Sequence, residues 1–157
     1  DSPLKVILFA STAMGEGKTF VSTNLALSLA QLDKKVLLIG LDIRRPRLAE
    51  HFGFSRQAPG ITDFLSYETE QLDTLLQDTA YSPNLKILPA GKVPPNPAEL
   101  LSGPRLLQAV HRLSKQFDYI LIDSCPTALL SPERRARTMP SRPTRLTTPL
   151  RPRSTPL

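Results

Sequence analysis

Scarcity narrows the reading of this chain before any motif does. Among 157 residues there is a single cysteine, Cys125, so no internal disulfide can form and a reducing compartment is the natural setting. Tryptophan is absent and aromatic residues make up only 6%, while 40% are apolar, the composition of one soluble globular domain with a real core. No apolar run approaches the ~18 residues of a membrane-spanning helix, and no signal peptide opens the chain, so any membrane anchor is expected outside it. An excess of positive charge is also missing from the body. Residues 1–130 carry 13 basic and 13 acidic side chains, and the whole formal +6 comes from seven Arg and one Glu in 131–157. Without a basic face on the folded part, a nucleic-acid partner is not expected.

What is present begins at Ser11-Thr12-Ala13-Met14-Gly15-Glu16-Gly17-Lys18-Thr19, directly after the apolar run Leu4 to Ala10. Glycines at 15 and 17 let backbone N–H groups converge on phosphate oxygens, and the helix that follows adds its partial positive end. Lys18 would bridge the β- and γ-phosphates of a nucleoside triphosphate such as ATP, and Thr19 would offer its hydroxyl to Mg²⁺. Thr12 stands where the usual G-x-x-x-x-G-K-[ST] motif has its first glycine. The strand-like run before it and the apolar residues Val21, Leu25, Leu29 and Leu32 after it, at helical spacing, supply the missing context. The plain alternative is a tight strand-to-helix turn with no ligand.

Alternation of strands and helices continues along the chain. Strands are expected at Leu4–Ala10, Val36–Ile39, Leu85–Leu88 and Tyr119–Asp123. Helices are expected at Lys18–Leu32, Pro46–Phe52, Ile61–Leu65, Gln71–Leu76, Ala98–Leu101 and Pro104–Phe117, while Pro94 to Pro97 excludes regular structure. This spacing predicts an α/β fold with a doubly wound, mainly parallel sheet of P-loop topology, cut short at its C-terminal side. The nucleotide-binding domain spans residues 1–130. Residues 131–157 hold six Pro and seven Arg with no Gly and no aromatic residue, which predicts a disordered tail. The abrupt loss of pattern there also fits an out-of-frame reading of a GC-rich gene, which translation of the other frames past codon 125 would decide.

Two carboxylates lie at apolar strand ends. Asp123 closes Tyr119-Ile120-Leu121-Ile122 in the layout of a Walker B aspartate, and Asp42 lies just past Val36-Leu37-Leu38-Ile39. In an open α/β sheet the carboxyl ends of strands face the ligand crevice, so both should converge on the phosphate loop. Solvated strand-end or helix-cap aspartates are the bland alternative for each. The expected site is therefore Lys18, Asp42 and Asp123 for catalysis, with Thr19, Asp42 and Asp123 toward the metal. Nucleotide contacts are expected along Met14, Gly15, Glu16, Gly17, Lys18, Thr19 and Phe20. His51 and His111 read as surface or helix-face residues, and Cys125 as a small packing residue.

Four stretches together resemble the cytoplasmic domain of the bacterial tyrosine kinases of exopolysaccharide and capsule export. They are the loop ending Gly-Glu-Gly-Lys-Thr, Asp42-Ile43-Arg44-Arg45-Pro46, Leu88 to Leu101 with its Pro94-Pro95-Asn96-Pro97-Ala98-Glu99-Leu100-Leu101, and Phe117 to Ser124. The likeness covers roughly residues 3–126. It implies a fold similar to ParA and MinD ATPases, ATP and Mg²⁺ as cofactors, and phosphorylation of tyrosines on a partner copy. It further implies a membrane-embedded polysaccharide co-polymerase as activator, the cytoplasmic face of the inner membrane as location, and self-assembly through segments this sequence lacks. Three departures stand out: Gly40 replaces the first aspartate of the family's Asp-x-Asp-x-Arg, Met14 replaces a proline, and the C-terminal tyrosine cluster is absent, leaving Tyr67, Tyr81 and Tyr119. Three functions follow: a tyrosine kinase, a ParA- or MinD-like ATPase that switches partners, or a catalytically weak ATP-binding module. Arg44 and Arg45 are either a solvated turn or contacts to acidic groups of a partner.

Overall fold

The structure is a computed structural model that describes residues 5–13 and 15–125. Met14 and the Arg/Pro-rich tail lie outside the described residues, and so does the reading of that tail as disordered or frameshifted. Five strands form one sheet: β1 (Val6–Phe9), β2 (Val36–Leu41), β3 (Gln77–Asp78), β4 (Leu85–Leu88) and β5 (Tyr119–Ser124), in the spatial order β1-β5-β2-β4-β3. All neighbours run parallel except the short β3, which pairs antiparallel with β4. All six residues of β2 are buried, as its unbroken apolar run demands of a strand covered on both faces.

The two faces are covered by different helices, and residue parity along the strands decides which. Val36, Leu38, Leu85, Ile87 and Leu121 meet α1 (Lys18–Gln31) and α2 (Leu48–His51). Leu37, Ile39, Leu88, Ile120 and Ile122 meet α3 (Ile61–Leu65) and α5 (Pro104–Leu113), with α4 (Pro97–Ser102) packed at the margin. The sheet is thus doubly wound, and each fully buried Leu or Ile contributes about 1.5–3 kcal/mol relative to exposure.

Several expectations need correction. Helix α1 does not bury the Val21-Leu25-Leu29-Leu32 stripe; it seats Ser22, Ala26 and Ala30 on the sheet and leaves Phe20, Val21 and Leu32 exposed. Small side chains let the helix approach closely, and Leu25 and Leu29 flank the contact half-buried. Asp33 then closes the helix with a left-handed φ of 56°, a position more often given to glycine. Pro46 does not open α2: the helix begins at Leu48, with Arg47 as its N-cap. The amphipathic stretch Gln71–Leu76 shortens to a 3₁₀ turn, Leu72–Leu75, and the chain continues into β3, which sequence periodicity had not revealed. Pro97 belongs to α4 as its first residue, where proline's missing N–H costs nothing, and α5 stops at Leu113 rather than Phe117.

One bracing contact fixes the loop that leaves β4. The Ile61 and Thr62 amides donate to the carbonyls of Pro89 and Ala90 at 2.8 and 2.9 Å, and the Thr62 hydroxyl donates to the Lys92 carbonyl at 2.8 Å. Asp63 accepts from the Gly60 amide at 2.6 Å, capping α3. The backbones come so close that a Cβ on Gly60 would lie 2.6 Å from the Pro89 carbonyl carbon, and one on Gly91 2.7 Å from Asp63 Oδ2.

Candidate active site

The loop after β1 is bent by Gly15 and Gly17, at φ 81° and 84°, a left-handed region that residues with a Cβ avoid. A Cβ at either would meet nothing within 4 Å, so the bend encloses open space rather than packed side chains. Gly17 caps α1, and its carbonyl accepts the first helical bond, from Val21 N at 2.9 Å. No side chain caps the helix, and the amides of a first helical turn lack partners within the helix, which makes such an end a ready site for an anion. Thr12 earns a place the motif does not predict: its amide and its hydroxyl each donate to the Glu16 carboxylate at 3.2 Å, pinning the loop across its base. Desolvation pushes the Glu16 carboxyl up. Hydrogen bonds from Ala13, Thr12 and Ser11 outweigh it and hold the group below the usual carboxylate range.

Register places the acidic residues beside this loop. Phe9 pairs with Asp123, and Asp123 with Gly40, so the carboxyl ends of β1, β5 and β2 lie side by side. Thr19 Oγ1 donates to Asp123 Oδ2 at 2.6 Å, joining the start of α1 to the end of β5. Asp123 is 3% exposed, and its other oxygen, Oδ1, is buried without a hydrogen-bond partner. Burial pushes its carboxyl above the ordinary value. The Thr19 hydrogen bond and the charges of Lys18 and His51 pull the other way, and Asp42 adds to the rise. Asp42, half-buried just beyond β2, accepts from the Arg45 amide at 3.1 Å.

The structure therefore brings Lys18, Thr19, Asp42 and Asp123 into one electrostatic neighbourhood, and His51 belongs to it as well. Its position on α2, exposed and near enough to favour ionised Asp123, had no sequence signal. Phe20 follows Thr19 in α1 and is 74% exposed, and Met14 lies outside the described residues. Cys125 is a buried packing thiol, pushed up by desolvation and by Asp42, the opposite of an activated nucleophile.

An orphaned buried carboxylate oxygen beside a threonine hydroxyl, with a second carboxylate close by, is an all-oxygen donor set that suits Mg²⁺. Among the described residues no cluster of three or more His, Cys, Asp or Glu could hold a metal by itself. The oxygen donors that are present, Thr19 Oγ1 and Asp123 Oδ1, fit Mg²⁺.

Gly40 sits opposite Asp123 in the sheet. A Cβ there would lie 3.2 and 3.3 Å from Leu48 side-chain carbons, so Leu48 of α2 occupies much of the room an aspartate would need.

The model of the AAA domain matches residues 4–132. A tyrosine-protein kinase ptk of Acinetobacter johnsonii is 40% identical over 121 residues, 77% of this chain and 16% of the relative. A tyrosine-protein kinase CpsD of Streptococcus agalactiae is 37% identical over 126 residues, 80% of this chain and 54% of the relative. Among solved structures, the BceF tyrosine kinase domain superposes with a TM-score of 0.71 at 39% identity, over 79% of this chain and 48% of that one. The septum site-determining protein MinD of Pyrococcus horikoshii, complexed with Mg-ADP, gives 0.67 at 27% identity, over 78% and 49%. This chain thus spans about a sixth of the first kinase and about half of the second. With its P-loop, its strand order and this match along most of its length, the chain belongs to the AAA domain family, among relatives named as bacterial tyrosine-protein kinases.

Proposed function

We propose that this domain binds ATP with magnesium and transfers the γ-phosphoryl group to tyrosine, in a system that exports exopolysaccharide or capsule. The observation that carries the reading is the Thr19–Asp123 pair, with its buried unpartnered carboxylate oxygen, set at the mouth of an open glycine-bent loop. The kinase names of the relatives support the choice of acceptor.

Lys18 and the amides of Gly15 to Lys18 hold and neutralise the phosphates, and Thr19 and Asp123 would hold magnesium, with Asp42 close by. When bound, the ion supplies charge neutralisation on the phosphate oxygens. Asp42 accepts the phenolic proton as the tyrosine oxygen bonds to the γ-phosphorus and the bond to the leaving ADP oxygen breaks. Placement and electrostatics carry most of such a reaction. This sequence carries only Tyr67, Tyr81 and Tyr119, so the acceptor is a tyrosine-rich segment of a partner polypeptide, and the activator is a membrane-embedded co-polymerase at the cytoplasmic face of the inner membrane. Among the described residues no helix is long and apolar enough to cross a membrane.

A second reading, a partner-switching ATPase, draws on the likeness to MinD and on Gly40, which removes one carboxylate from the site. Labelled ATP, Mg²⁺ and a tyrosine-rich peptide separate the two. Label on tyrosine supports the kinase, and free phosphate alone supports the ATPase. Binding without turnover leaves a nucleotide-binding module, and Lys18→Met should abolish turnover of either kind.

A further inference from the structure

A cavity opens at the same edge of the sheet, across the ends of β2 and β4. Its volume is about 600 Å³, within the range of small-ligand sites, and five cations line it: Arg44, Arg45 and Arg47 from the segment after β2, Arg56, and Lys92 from the loop after β4. Arg56 is paired with Glu50 at 3.0 Å and Lys92 reaches Glu68 only at 4.0 Å. Among the described residues no carboxylate lies within ion-pair distance of Arg44, Arg45 or Arg47. In a folded body whose charges balance, this is a local surplus of positive charge gathered in a concavity. Gly91, at φ 87°, lines it within the β4 loop braced by the Ile61, Thr62 and Lys92 hydrogen bonds, where a Cβ would lie 2.7 Å from Asp63 Oδ2. Val93 and the arginine stems add an apolar wall, so the site offers guanidinium forks beside a surface for a ring.

We propose that this cavity holds a phosphotyrosine of the acceptor segment, so that a peptide already modified once is retained while its next tyrosine is presented. The inference rests on the kinase reading above. That reaction turns a neutral phenol into an aryl phosphate carrying nearly two negative charges, and this cavity has the chemistry to hold one. It is also connected to the reacting atoms. The Arg45 amide donates to Asp42 Oδ1 at 3.1 Å, and Arg44 and Arg45 both line the cavity, which places the arginine segment beside that carboxylate.

The sheet sets the spacing. Asp123 ends β5, and the cavity spans the ends of β2 and β4, one and two strands further along. Two strand spacings are about 10 Å, which an extended peptide covers in about three residues. The retained phosphotyrosine should therefore lie about three residues from the tyrosine being modified.

The test is an equilibrium one on the full chain without turnover. Fluorescence anisotropy would compare two labelled tyrosine-rich peptides, identical but for one phosphotyrosine three residues from a free tyrosine. The phosphorylated peptide should bind at least about tenfold more tightly, with the preference shrinking as salt rises. Arg45→Ala/Arg47→Ala should remove most of the preference, and its uptake of fluorescent Mg-ATP would verify that it folds. On the unaltered protein, saturating Mg-ATP and the Lys18→Met change should both leave the preference in place. Equal binding of the two peptides overturns the proposal. So does a preference that survives the double arginine change, one that Mg-ATP abolishes, or tighter binding of a single-stranded oligonucleotide than of the phosphopeptide. Transfer to tyrosine without the preference would sink the cavity's role and spare the kinase reading; the preference without transfer would do the reverse.

Discussion

Replacing Asp123 by asparagine should make the nucleotide-free protein more stable while removing its response to Mg-ATP. The carboxylate is buried, one of its oxygens has no partner, and burial raises it above the usual range. A buried polar atom left unpaired costs about 1–3 kcal/mol. Asparagine keeps an oxygen for the Thr19 hydroxyl and removes the charge, but its amide meets the same unpaired corner, so the net gain should be about 1 kcal/mol. For a domain of this size that is roughly 3–4 °C in melting temperature. The sign with pH follows from the raised value. Ionised Asp123 is less favoured in the folded state than in the unfolded one. Its contribution to stability is present in full below the unfolded value of 3.8 and is lost as pH rises through the folded value. The advantage of asparagine should therefore be largest at neutral pH and shrink on acidification. Magnesium with ATP reverses the order: at a hundredfold excess over Kd the unaltered protein gains about 2.7 kcal/mol, and the variant should gain far less. Differential scanning fluorimetry at several pH values, with and without Mg-ATP, would show the two curves cross. A variant that melts below the parent in both conditions would refute the assignment of this carboxylate as a metal-facing group.

Three other outcomes are expected. Gly17→Ala places a Cβ at φ 84°, where there is room but the backbone is strained, so it should cost about 1–2 kcal/mol of stability, with a larger fractional loss of ATP affinity by isothermal titration. Gly60→Ala drives a methyl into the Pro89 carbonyl, and chemical denaturation should show a loss of more than about 3 kcal/mol or failure to fold. Gly40→Asp crowds Leu48 and adds a charge opposite Asp123, so stability without ligand should fall by about 2–4 kcal/mol, with part regained in Mg²⁺ as read by urea titration.

How far the chain could be read in advance depended on whether the determining contacts were local. The glycines, Lys18 and Thr19 announced themselves because phosphate binding is built from consecutive residues, and Asp42 and Asp123 because each closes an apolar strand. Helix α1 misled, since its large apolar residues suggested a buried face and the close approach to the sheet selected Ser22, Ala26 and Ala30 instead. The 3₁₀ turn and β3 were hidden because two residues of pairing leave no periodic trace. Arg47, Arg56 and Lys92 meet around one cavity only because β4 lies beside β2, an adjacency fixed by topology and not by neighbouring residues.

The small-residue seat of α1 makes that helix a lever with no slack. Ala26 lies eight residues from Lys18, about 12 Å along the axis, and it is wholly enclosed. Enlarging it would pry the rod off its bed and tilt its far tip, carrying the ammonium group out of alignment with the acid on β5. On the proposed ATP-binding reading, grip on a nucleotide would be inherited from a methyl group that never touches one, and inhibitors or mutations aimed at that distant seat would act on affinity without entering the pocket.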